Sequence, residues 1–575
     1  MPFEPNLADI DFILHEVLQA SEPLQALAPY AEVDADLMHE VVAQAGKFVA
    51  QAIAPLQTVG DTVGCQWDGG QVRTPPGFKE AYRAFWQGGW PALACAPEDG
   101  GQGLPTVLEA VLYEMLSGAN HGWTMAPGLL HGAYECLKHH GSEDLRARYL
   151  EKIATGEWLA TMCLTEPHAG SDLGLARTKA EVQGDGSYAL SGTKIFISGG
   201  EHDLTDNIIH LVLARLPDAP PGPKGLSLFL APKVLHDGQA NTVHCDRIEE
   251  KMGLHGSPTC VMRFDQATAW IIGEPNRGLN AMFVMMNAAR LHVGLQGIGL
   301  LEAAWQKAHA YAQERRQMRA PKAVMGSSPD PIAQHPAMRR ILHTQRAWID
   351  AGRVLAYRTA LELDLAKHHT DAGRRHVAQQ WCSFVTPVLK AAWTAQAFSG
   401  ASDCLQVFGG HGYVREWGIE QIVRDARVSM IYEGTNEIQA IDLLVRKVLP
   451  DGGLGLHGLL QHLCEGLDTQ HAAHARFADQ VAALRQVTQD LVAQAPADPE
   501  LAYWLADDYL RAVAVLLLSW AWLKIDAAQD RLSPDTVNLR WHDPAQAVNH
   551  WVLPEFGMRL DIMRARLGQT ATQTC

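Results

Sequence analysis

The stretch Thr178–Ser198 reads TKAEVQGDGSYALSGTKIFIS. Two short runs flank Asp185-Gly186, a dipeptide that tolerates positive φ and so turns one strand back along the next. This hairpin signal lies between two regions of helical periodicity, and that placement decides the fold class. Upstream, FILHEVLQ, LMHEVVAQAGKFVAQAI and VLEAVLYEMLSG repeat apolar residues at three and four spacings. Around the hairpin, NIIHLVLARL, GLSLFLAPK and TCVMRFDQATAWII are β-branched or aromatic runs of strand length. From Leu279 the helical period returns, first in AMFVMMNAARLHVGLQGIGLLEAAWQKAHAYAQERRQ and then in two further long patterns. The expected fold is mainly α with an inserted antiparallel β domain. Residues 1–159 form an N-terminal helical domain, 160–277 the middle β domain, 278–448 a helical bundle and 456–575 an extra C-terminal helical domain. LPDGGLGLHG reads as the joint before the last of these.

Composition narrows the function. A chain of 575 residues with 47% hydrophobic content exceeds one compact core. A net charge of −17, from 47 basic and 64 acidic residues, opposes nucleic acid and anionic membranes as partners. The ten cysteines are scattered with no CxxC, which suits reduced thiols in a cytoplasmic protein. The 26 histidines include no HExxH and no His/Cys cluster at zinc spacing, so no metal is expected. The N-terminus, MPFEPNLADIDFILHEVL, has no basic n-region and does not read as a signal peptide. Ala512–Leu523, AVAVLLLSWAWL, is too short to cross a bilayer and suits a buried helix, with an interfacial membrane helix as the alternative. Gly453–Gly458 matches GxGxxG but follows a helical pattern and Pro450 rather than a strand; it reads as a flexible linker. Gly297-Ile298-Gly299 reads as a small-residue stretch for close helix packing.

Several segments carry more specific chemistry. MCLTEPHAGSD, Met162–Asp172, sits where helix gives way to strand; Pro167 and Gly170 leave backbone N–H groups for a polar ligand edge or an anion, or simply make a polar turn. In GTKIFISGG, alternation puts Lys194, Phe196 and Ser198 on one face, suited to a flat heteroaromatic ring or to an ordinary sandwich core. YAQERRQ, Tyr311–Gln317, ends a long helix, and the paired glycines of QVFGGHGYVRE, Gln406–Glu416, permit close backbone approach. VRDARVSMIYEGTNEIQAI places Glu433 among apolar neighbours.

In this order, and across an α–β–α pattern, these segments resemble the acyl-CoA dehydrogenase family over about residues 30–445. The extra C-terminal region is similar to the larger branch of that family, which takes in 3-methylmercaptopropionyl-CoA and bacterial long-chain dehydrogenases. The resemblance implies α,β-dehydrogenation of an acyl-CoA thioester to the trans-2-enoyl-CoA, with FAD as cofactor because no side chain accepts a hydride. It implies Glu433 as the base for the α proton, its basicity raised by apolar surroundings. Gly434 then leaves room for the substrate, and the Glu433 N–H faces the thioester carbonyl. Ala289, before Arg290, stands where some members carry the base instead, and alanine cannot take a proton.

Met162, Leu164, Thr165, Phe196, Ile197 and Ser198 match contacts to the flavin ring. Arg315 matches the arginine that binds the FAD pyrophosphate of the other subunit, Gln406 and Gly410 match residues near the adenosine half, and Thr435 and Glu437 match cofactor contacts beyond the base. Ser171, Asn287 and Arg290 match CoA contacts, and Tyr432 lines the acyl slot. The implied partners are acyl-CoA, electron-transfer flavoprotein and a second copy of the chain, a dimer. Met318, Arg319, His335 and the insertion APKAVMGSSPDPIAQHP depart from the family pattern and leave the adenine end of the cofactor less specified than the flavin end. An acyl-CoA oxidase, a non-catalytic acyl-CoA- or flavin-binding protein and a flavin monooxygenase share the scaffold; the presence of Glu433 argues against the last two.

Overall fold

The structure is a computed structural model that describes residues 2–322, 329–532 and 539–573, with side chains as far as residue 568. Residues 323–328 of the insertion, and Cys575, lie outside the described residues. The architecture is mainly helical with an inserted, largely antiparallel sheet and a C-terminal helical extension. The chain forms two compact units: Pro2–Pro5 with Ala43–His292, and Asn6–Val42 with Val293–Cys575.

The first unit contains helices up to residue 154 and then the sheet. A two-stranded hairpin, β1 (Gln66–Asp68) and β2 (Gln71–Arg73), interrupts those helices. Residues 1–159 read as wholly helical because each of these strands is too short to register as a period, although Gly69 and Gly70, both at positive φ, mark the turn.

The sheet comprises β3 (Leu159–Cys163), β4 (Lys179–Val182), β5 (Tyr188–Ser198), β6 (Ile208–Arg215), β7 (Leu226–Pro232), β8 (Val243–Ile248) and β9 (Thr259–Ile272). The expected hairpin is β4–β5. Gly186 takes φ 85°, and the Ser187 N–H donates to Asp185 Oδ1 at 2.9 Å. Pairing runs β6–β7–β9–β5–β4 and back to β6 at Lys179↔Arg215, closing the sheet on itself. Phe229, Val212, Leu190, Met262 and Phe264 belong to the core of this domain. Two pairings are not antiparallel: β4 meets β6 in parallel at the single pair Lys179↔Arg215, and β3 lies parallel to β6, where the excursion through β4 and β5 supplies the crossover that a parallel pair requires.

The helix Gly278–Glu314 carries the chain into the second unit, a bundle that includes Pro336–His368, Ala372–Val388 and Thr394–Val407. Gly297 does serve helix packing, since a Cβ there would come within 2.9 Å of the Trp393 backbone. The C-terminal helices Leu501–Arg531 and Leu553–Gln573 pack against each other, and the first also packs on Pro336–His368. Residues Ala512–Leu523 are buried throughout, which matches the buried-helix reading. Among the described residues, no helix is long and apolar enough to cross a membrane. The joint is shorter than its composition implied: Gly452 and Gly453 are left-handed, but Leu454–Leu463 is helical, so most of the GxGxxG match is helix rather than flexible linker. Glycine runs read as loops in isolation, and packing of Leu456, Leu459 and Leu460 overrides that propensity.

Four separate segments of this unit meet at buried ions. Arg540 reaches Asp350 and Asp9, and Arg346 reaches Asp350 at 2.8 Å and Glu302 at 2.6 Å. Trp522, 3% exposed, donates its indole N–H to the Ala347 carbonyl at 3.0 Å. Trp522→Ala opens a cavity and removes that hydrogen bond. We expect a loss of about 3–5 kcal/mol, read as a lowered urea midpoint.

Candidate active site

The residues singled out by sequence fall in both units, and each group is built by a different local device. In the first unit the end of β3 leads into Leu164-Thr165-Glu166. The Glu166 carboxylate is 4% exposed and accepts from Arg177 N–H (2.7 Å), Thr178 N–H (3.0 Å), the Thr178 hydroxyl (2.7 Å) and Lys194 Nζ (2.8 Å). Lys194, fully buried, also donates to the Leu164 carbonyl at 3.0 Å. Burial alone would raise the Glu166 carboxyl; the Lys194 ammonium and these donors overcome it and hold the group at about 2. The Ile195 N–H donates to the Thr165 carbonyl at 2.9 Å. Met162, Leu164 and Thr165 are thereby brought beside Phe196, Ile197 and Ser198.

The expected alternation along β5 does not hold. A register shift against β9 falls between Lys194 and Ile197, and Phe196 adopts φ 59°. Lys194 therefore points into the core while Phe196, two residues on, is 60% exposed. A bulge re-aims a side chain in this way, and a bulky residue at positive φ is unusual enough to suggest a role. Thr165 and Ser198 are half-buried beside it. An exposed aromatic ring with two accessible hydroxyls suits the edge of a flat polar heterocycle.

Ser171 and Asn287 are exposed, and Arg290 is 9% exposed on the Gly278–Glu314 helix. Ala289 is buried, with no carboxylate at that position.

In the second unit Arg315, Gln406 and Gly410 line one cavity of about 570 Å³, together with Tyr311, Phe408 and His335. Its wall is aromatic. Tyr311 stacks on Phe408 at 4.3 Å and its hydroxyl bonds His411 Nδ1 at 2.9 Å; His411 stacks on Trp417 at 4.6 Å. Gly409 is left-handed at φ 58°, which favours glycine, whereas a Cβ added at Gly410 would meet nothing within 4 Å, so packing within the described residues does not account for that glycine. Arg315 is exposed, its guanidinium open to an anion. Met318 and His335, two of the departures from the family pattern, line the same cavity.

Glu433 lies in the turn before the Asn436–Ile441 helix and is half-buried at φ 55°, followed by Gly434 at φ 81°. A left-handed glutamate costs about 1–2 kcal/mol, so the turn needs anchors. Lys390 Nζ donates to the Gly434 carbonyl at 2.7 Å, and Gln439 Nε2 to the Glu433 carbonyl at 3.0 Å. The φ of 81° favours glycine at 434, and a Cβ there would approach Gln439 Nε2 to 2.7 Å and push that anchor aside. Thr435 caps the helix, accepting from Ile438 N–H at 3.4 Å. The Thr435 hydroxyl and backbone N–H donors hold the Glu437 carboxyl below its ordinary range. Tyr432 donates to Gln296 Oε1, and burial, with Glu433 beside it, pushes its phenol up.

Lys390, Asn436 and Gln439 were not singled out by sequence. The one available signal was a lysine inside the apolar run FVTPVLKAAW.

Comparison with known proteins matches this chain to three family models: acyl-CoA dehydrogenase N-terminal domain over residues 38–157, middle domain over 161–267 and C-terminal domain over 276–448. It is 43% identical over 534 residues to 3-methylmercaptopropionyl-CoA dehydrogenase of Ruegeria pomeroyi, covering 90% of each chain. It is 35% identical over 516 residues to the broad-specificity linear acyl-CoA dehydrogenase FadE5 of Mycobacterium tuberculosis, covering 86% of this chain and 83% of that one. In fold it is similar to an acyl-CoA dehydrogenase of Bacillus anthracis whose crystal structure is complexed with FAD, with TM-score 0.75 and 20% identity over 96% of this chain and 94% of the other. The chain belongs to the acyl-CoA dehydrogenase family and is an oxidoreductase that acts on acyl-CoA.

Proposed function

We propose that this chain dehydrogenates an acyl-CoA thioester between its α and β carbons, with Glu433 as the base that removes the α proton. The observation that carries this reading is the half-buried Glu433 carboxylate, on a left-handed turn anchored by buried donors and followed by a glycine at φ 81°. A carboxylate held in place and partly out of water is a stronger and better aimed base than a solvated one.

FAD is the cofactor, and when bound it supplies the acceptor for the hydride that leaves the β carbon. The residues present fit it. Thr165, Phe196 and Ser198, with Met162, Leu164 and Ile197, offer an exposed ring and hydroxyls for the isoalloxazine. Arg315, Gln406 and Gly410 line a cavity with an open cation, an amide and a glycine cradle for the pyrophosphate and adenosine. In our reading Arg315 serves the cofactor of a second copy in a homodimer, and Thr435 and Glu437 complete the contacts after the base. Ser171, Asn287 and Arg290 hold CoA, and Tyr432 lines the acyl slot with its hydroxyl bound to Gln296. The Glu433 N–H donates to the thioester carbonyl as charge develops on it.

Electrons pass on to electron-transfer flavoprotein. Anaerobic addition of acyl-CoA bleaches the yellow enzyme, and subsequent air restores colour only slowly; rapid recolouring with peroxide release would instead identify an oxidase. A panel of acyl-CoAs of increasing length, with a 3-methylthio chain included, ranked by bleaching rate, identifies the acyl group. A purified protein that takes up no flavin would end this reading.

A further inference from the structure

Glu433 and Gly434 are consecutive left-handed residues, at φ 55° and 81°. For a glutamate this conformation persists only where its surroundings over-determine it, and such strain gathers where a side chain must be aimed. The over-determination is visible. The Gly434 carbonyl accepts from Lys390 Nζ at 2.7 Å and from Gln439 Nε2 at 3.3 Å, and the Glu433 carbonyl accepts from Gln439 Nε2 at 3.0 Å.

Lys390 is 0% exposed. A buried ammonium demands oxygen partners, because losing water without them is costly. Lys390 also donates to Asn436 Oδ1 at 2.9 Å, at the start of the helix that follows the turn. Asn436 is itself fixed, its amide donating to the Ala391 carbonyl at 3.0 Å and its Oδ1 accepting from the Thr394 hydroxyl at 3.2 Å. Lys390 stands in a single turn of π-helix, Leu389–Trp393, just after Pro387 in the preceding helix. Such turns mark places where a helix yields its regular ladder to local demands.

We propose that Lys390, with Gln439, is a positioning residue for the base. Together they hold the two carbonyls of the turn so that the left-handed backbone at Glu433 is kept and its carboxylate stays aimed at the substrate α carbon. This rests on the assignment of Glu433 as the base. Without the ammonium, the turn relaxes toward an ordinary φ and swings the carboxylate aside, while the CoA- and flavin-contacting residues on other segments are untouched.

The test uses the FAD-loaded enzyme and Lys390→Met. Four quantities are read: FAD content, acyl-CoA Kd, the single-turnover bleaching rate, and exchange of the acyl α hydrogens with D2O followed by NMR. We expect full FAD content and an acyl-CoA Kd within about threefold, with bleaching and α-hydrogen exchange both down about 10²-fold, the scale of a 1 Å misplacement. Because Lys390 acts through Glu433, Lys390→Met placed on Glu433→Gln slows the reaction no further. Exchange and bleaching near the wild-type rates in Lys390→Met, or a full additional loss in the double variant, overturn the proposal. Should Lys390→Met not fold, Gln439→Leu removes the other anchor of the same carbonyls; the same paired loss supports the proposal and wild-type exchange overturns it. If Glu433→Gln alone still bleaches and exchanges normally, the base assignment itself fails, and the positioning role falls with it.

Discussion

Glu433→Gln retains FAD and binds acyl-CoA with near-normal affinity, yet turns over about 10³–10⁴-fold more slowly, the range a general base contributes. The substitution keeps the shape and hydrogen-bonding reach of the side chain. The backbone anchors of the turn, Lys390 and Gln439, bond to carbonyls and are unaffected by the change. What is lost is the ability to accept a proton. The second carboxylate of the segment, Glu437, is exposed and held below its ordinary range, which makes it a poor substitute base. Ala289 offers none. Stopped-flow bleaching with saturating acyl-CoA, alongside an equilibrium Kd, separates chemistry from binding. Near-normal bleaching in this variant would remove Glu433 from its role.

Lys194→Met destabilises the protein by about 3–5 kcal/mol, the cost of leaving a buried charge without its partner. Glu166 and Lys194 lie 2.8 Å apart, and both are almost wholly buried. The variant strands a carboxylate that keeps the Thr178 and Arg177 donors, with His168 Nε2 3.5 Å away, but has lost its buried counter-charge. It also frees the Leu164 carbonyl, so the segment bearing Thr165 loses order and FAD retention falls with stability. Lys194→Met combined with Glu166→Gln recovers much of the loss, because neither charge then remains. Chemical denaturation of the three variants gives the comparison; equal losses in the single and the double variant would show that the pair contributes only by shape.

The same pair sets a pH window. Glu166 is held at about 2 in the folded protein, below its unfolded value. Its contribution is therefore fully present above the ordinary glutamate range near pH 4.3 and is lost as pH falls toward 2. Glu166→Gln flattens the stability profile across that interval, and an unchanged slope would contradict the assignment.

Much of this molecule was legible from spacing alone. The change from helical to strand period, the Asp185-Gly186 turn and the buried character of Ala512–Leu523 each follow from local patterns that the structure leaves intact. The glutamate in IYEGTNEIQ stood out because a carboxylate among apolar residues asks for a reason. Apart from the β1–β2 hairpin, whose strands are too short to show a period, the misses share one cause. The bulge at Phe196, the parallel placement of β3 beside β6, and the helix through Leu454–Gly458 all depend on what another segment does at that point, and no local period records it.

The deepest layer of the candidate site is of that second kind. Local order along the chain was enough to determine the family and the change from helices to strands and back, and to single out Glu433 as the acid proposed to take the proton. Only the folded chain could bring Lys390 to the Gly434 carbonyl and Lys194 to the Leu164 carbonyl, each from a distant stretch of sequence. The reason is physical: a buried ammonium is tolerated only where oxygen atoms surround it, and which oxygens those are is settled by packing in three dimensions, not by neighbours in the chain.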